Sequence, residues 1–68
     1  MTSLSVAQQT FEWLQSTGRI SGMAEQKVAD MGLESFLQEA ANKWDAIGSP
    51  RFMQGMKDVM MKLIWGEN

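Results

Sequence analysis

The sequence predicts an all-α fold, a small bundle of three main helices and one short helix forming a single domain over 1–68. Three observations lead there. Apolar residues recur at three- and four-residue spacings along most of the chain. Glycine and a Ser-Pro step fall between those runs, where helices stop and start. No stretch shows the strict two-residue alternation of a half-buried strand.

The first helix is predicted at about 6–17. Ser5 followed by Gln8 has the spacing of a capping box, in which two side chains satisfy orphan backbone N–H groups at a helix start. Val6, Ala7, Thr10, Phe11, Trp13, Leu14 and Thr17 share one side, and Gly18 supplies a left-handed stop. A short helix at about 22–31 follows, with Ser21 as its expected cap and Ala24, Val28 and Met31 at helical spacing. Gly32 then either breaks or kinks the chain, and the pattern leaves both open.

Leu33, Leu37, Ala40, Trp44 and Ile47 alternate steps of four and three, the cleanest apolar stripe in the molecule, so a helix is predicted at about 33–47. Glu39 stands four residues before Lys43, a favourable ion-pair orientation. Gly48-Ser49-Pro50 marks a boundary: glycine ends one helix, Ser49 caps the next and Pro50 fits its first turn. The last helix is predicted at about 50–65, with Asp58 and Lys62 as a further pair. Gly55 inside it costs roughly 1 kcal/mol relative to alanine, which points either to another backbone passing close by or to a neutral accident of sequence.

The last helix carries the sharpest functional signal. Its apolar residues cover about 240° of the wheel, interrupted by Lys57, whereas a helix with one buried face needs little more than about 100°. The surplus predicts association. Trp13 and Trp44 are expected in the core, as are Met56 and Met60. Met53, Met61, Ile64 and Trp65 are the expected partner or dimer interface, since tryptophan is enriched where binding energy concentrates and methionine adapts to uneven surfaces.

Composition removes whole classes of chemistry. The 68 residues include no cysteine and no histidine, so disulfides, thiolate catalysis, Cys/His zinc sites and Ser-His catalysis are excluded. No metal, no cofactor and no enzymatic activity are expected. The net charge of −2 comes without any clustered run of lysine or arginine, so no nucleic-acid partner is expected. Gln26 to Ala40 has helix-turn-helix proportions, but its second helix opens Leu33-Glu34-Ser35, acidic where base edges and phosphates need donors. No secretory leader or spanning run of apolar residues is present, so a cytoplasmic protein with no membrane partner is expected.

One segment carries a family resemblance. Val28-Ala29-Asp30-Met31-Gly32-Leu33-Glu34-Ser35-Phe36 resembles the phosphopantetheine attachment region of acyl carrier proteins, with Glu34 and Phe36 standing where that family has Asp and Leu. The resemblance implies a helical carrier modified on Ser35. It covers nine residues, and Glu39, Asn42 and Asp45 occupy positions that the family keeps apolar. The residues as a whole read as a small non-catalytic interaction module. Such a regulator, adaptor or inhibitor, of the kind phages and mobile elements encode, would act on a larger protein partner or as a homodimer.

Overall fold

A computed structural model of the chain describes residues 2–66. They form four helices, α1 (Ser3–Ser16), α2 (Met23–Met31), α3 (Leu33–Ile47) and α4 (Phe52–Trp65), and no strand. The predicted bundle of three main helices and a short one is the architecture found. Helix α1 packs against α3 and α4, these two pack against each other, and α2 closes one end against both. Ser3 donates to Asp45 while Phe11 meets Phe36, so α1 and α3 run antiparallel.

The helix starts depart from the sequence reading, each for a local reason. Helix α1 begins three residues before its predicted start, because Thr2 rather than Ser5 is its cap: Thr2 Oγ1 accepts from the Ser5 N–H at 3.1 Å, and Ser5 Oγ donates to the Thr2 carbonyl. Gly18, at φ +75°, ends the helix as expected, and the Arg19 N–H closes the turn onto the Leu14 carbonyl. Ser21 does not cap α2; that place falls to Gly22, and no side chain serves the orphan N–H groups there. Gly32 is a true break. Its φ of +89° ends α2 and starts α3 in one residue.

Helix α4 starts at Phe52, two residues later than predicted, and neither Ser49 nor Pro50 plays its expected role. Ser49, Arg51 and Phe52 are all left-handed, at φ +52°, +50° and +46°, each costing about 1 kcal/mol or more for a residue with a Cβ. This tight turn folds the Pro50 carbonyl directly over Gly55. A Cβ at position 55 would lie inside the contact distance of that oxygen and 2.9 Å from its carbon, so the close backbone approach inferred from the sequence is real. Among the described residues Arg51 and Asp58 make the one ion pair, at 2.6 Å across the same turn, so neither Glu39–Lys43 nor Asp58–Lys62 closes.

The core is continuous through all four helices. Phe36, Leu14, Ile20, Met56, Met60 and Val6 are its largest fully enclosed side chains, and Phe11 meets Phe36 edge-to-face with centroids 5.8 Å apart. Trp44 is buried as expected, but Trp13 is 40% exposed. On the α1 wheel Trp13 sits beyond the arc of Val6, Thr10 and Leu14, where α4 covers only part of its ring. The stripe on α3 also surfaces at its ends, at Leu33 and Ile47.

Thr10 is the one fully buried polar side chain described, and its hydroxyl finds no hydrogen-bond partner among the described residues. An unsatisfied buried hydroxyl costs about 1–3 kcal/mol. Thr10→Val keeps the shape and removes that cost, so it is expected to raise stability by about 1 kcal/mol, read as a higher urea midpoint at unchanged m-value.

Candidate functional site

The inward side of α4 is spent on the core. Gly55, Met56, Val59, Met60 and Ile64 are buried there. Ile64, expected on the association surface, is only 3% exposed and is corrected to a core residue: its position on the wheel falls beside Met60, not beside Trp65.

Met53, Met61 and Trp65 do share a surface. They fall four residues apart in one i±4 row with Lys57, and such a row forms a ridge about 18 Å long. Met53, Lys57 and Met61 are half-buried, and Trp65 is half exposed. Lys57, which in the sequence merely interrupts an apolar arc, is thus the charged centre of the row.

A tryptophan with a cation on its face closes each end. At the start of α4, Trp13 of α1 lines a shallow depression with Met53, Gln54 and Lys57, and the Arg19 guanidinium lies 4.7 Å from the Trp13 ring centroid. At the other end Lys27 of α2 sits 4.7 Å from the Trp65 centroid and donates to the Ile64 carbonyl at 3.2 Å. That carbonyl belongs to the last turn of α4, where the helix dipole favours a cation.

The bundle gathers its lysines and arginines around α4, which carries Asp58 as its one acid. All six lysines and arginines of the chain lie on this helix, at its N-cap, or against a residue bordering it. Arg51 is the cap and Lys57 and Lys62 belong to the helix. Lys43 joins Lys62 in the groove between α3 and α4, and Arg19 and Lys27 cover the two tryptophans. The groove between α1 and α3 has the opposite character: Leu4, Phe11, Leu33 and Leu37 form its apolar surface, with Glu12 and Glu34 beside them and, among the described residues, no lysine or arginine lining it. No linear pattern announces this segregation, because it arises when helices that are each mixed in charge are packed.

Ser35, the residue singled out by the carrier resemblance, is exposed in the first turn of α3. Among the described residues no three carboxylates gather in a metal-binding geometry, and no helix is long and apolar enough to cross a membrane. No protein-family model matches the chain, and no curated protein or solved structure is significantly similar to it.

Proposed function

We propose that this chain is a small non-catalytic interaction module, a regulator, adaptor or inhibitor that acts by binding a larger protein through the flank of α4. The observation that carries this reading is the row Met53–Lys57–Met61–Trp65, apolar on either side of its lysine and only partly covered, with a half-exposed tryptophan at either end. Exposed aromatic and methionine surface of this kind favours association, because covering it removes apolar area from water.

The cations favour a partner of complementary charge. A surface carrying Lys57, Arg19 and Lys27 among apolar side chains is complementary to carboxylates set around an apolar strip. The same cations weigh against two copies of α4 meeting across a two-fold axis, since each lysine would then approach its own kind.

The test is capture of binding partners from the source cell by the tagged chain, alongside Met61→Glu/Trp65→Ser and Ser35→Ala variants whose helical content is checked by circular dichroism. Partner recovery is expected to be lost with the double variant and kept with Ser35→Ala. Equal recovery by all three chains would remove α4 from the binding surface, and loss confined to Ser35→Ala would favour the carrier reading.

A further inference from the structure

The chain itself carries a surface that fits the flank of α4. We propose that the acidic groove between α1 and α3 of one copy receives the basic flank of α4 of another, so that the protein associates head to tail. This rests on the reading of that flank as a binding surface and adds the identity of one occupant.

Charge and apolarity agree. The groove offers Glu12 and Glu34, and the flank offers Lys57 at its centre with Arg19 and Lys27 at its ends. Leu4 and Leu33 stand 37% and 47% exposed in the groove, an apolar surface for the methionines of the row. The other groove beside α4 carries Lys43 and Lys62, the same sign as the flank, and is not its complement.

The two surfaces do not overlap. On α1, Trp13 lies about 100° around the helix from Glu12 and about 140–180° from Leu4, Gln8, Phe11 and Gln15, at 100° per residue. One copy therefore has room for a neighbour on each side. Unlike surfaces meeting in this way give a ring or an open row rather than a closed two-fold dimer.

Sedimentation of the purified full chain across a concentration series at low salt tests the proposal. The weight-average mass is expected to climb from the 7.6 kDa monomer without stopping at a dimer, and to fall back as added salt screens the charges. Lys57→Glu on the flank, and Glu12→Lys/Glu34→Lys in the groove, are each expected to weaken association by about tenfold or more. Glu12 and Glu34 are exposed and Lys57 is half-buried, and circular dichroism verifies that the helices persist. Mixing the two variants restores opposite charges across both kinds of contact and is expected to bring association back. Three results would overturn the proposal: a monomer at every concentration, single-variant losses that mixing does not rescue, or association that survives the groove variant. In the last case, loss with Lys57→Glu alone would leave α4 as a binding surface, whereas indifference to both variants would count against that reading too.

Discussion

Replacing Phe36 with alanine is expected to leave the chain close to unfolded. Phe36 is wholly enclosed and sits in the first turn of α3, where its ring meets Phe11 of α1 edge-to-face. Truncating a buried phenylalanine removes about 3–5 kcal/mol, through lost apolar burial and the cavity left behind. A domain of this length has only about 3–10 kcal/mol in total. The Phe11–Phe36 contact is one of the points where α1 and α3 meet, so losing the ring also weakens that pairing. Thermal melting by circular dichroism should show the transition lowered by about 15 °C or more, or lost altogether. A shift of only a few degrees would mean that the core closes around the missing ring.

Gly55→Ala is expected to destabilise, against the usual direction for a glycine inside a helix. Helix propensity alone favours alanine by about 1 kcal/mol. Here the new methyl group would collide with the Pro50 carbonyl, a backbone atom that cannot rotate out of the way. Relieving the collision means shifting the backbone of the turn that lays Pro50 over position 55. Overpacking of this kind costs about 1–3 kcal/mol or more, so a net loss of about 1–2 kcal/mol is expected in urea unfolding. Gln54→Ala, one residue away and exposed, serves as the control and should change stability by less than about 0.5 kcal/mol. A stabilised Gly55→Ala variant would show that the turn before α4 is free to move.

The contrast between α3 and α4 shows what the sequence could and could not reveal. Helix α3 is read to the residue, because glycine stands just before its start and just after its end and its apolar steps match one helical face. The start of α4 is misread because Ser-Pro after glycine has the composition of a cap, while the turn actually made depends on where the Pro50 carbonyl must go. Burial follows the same division. A wheel ranks residues around one helix but does not fix how wide a sector its neighbours cover. Trp13 falls just outside that sector and Ile64 just inside it. Spacing alone places Met53, Met61 and Trp65 in one row, whereas the positions of Trp13 and Lys57 around it depend on α1 lying beside α4. The acidic groove belongs to no single segment. It appears only when α1 and α3 are laid side by side.

The placement of the three tryptophans gives each main helix its own optical reporter. Trp44 on α3 is enclosed in the core, whereas Trp13 on α1 and Trp65 on α4 are each about half open to water and each lie against a cation. The emission of the native protein is therefore a sum of one dry indole and two wet ones. The wet pair stands at the two ends of the α4 flank. Any body that settles along that flank dries both at once and leaves Trp44 unchanged, so the molecule signals occupancy of this surface without a label.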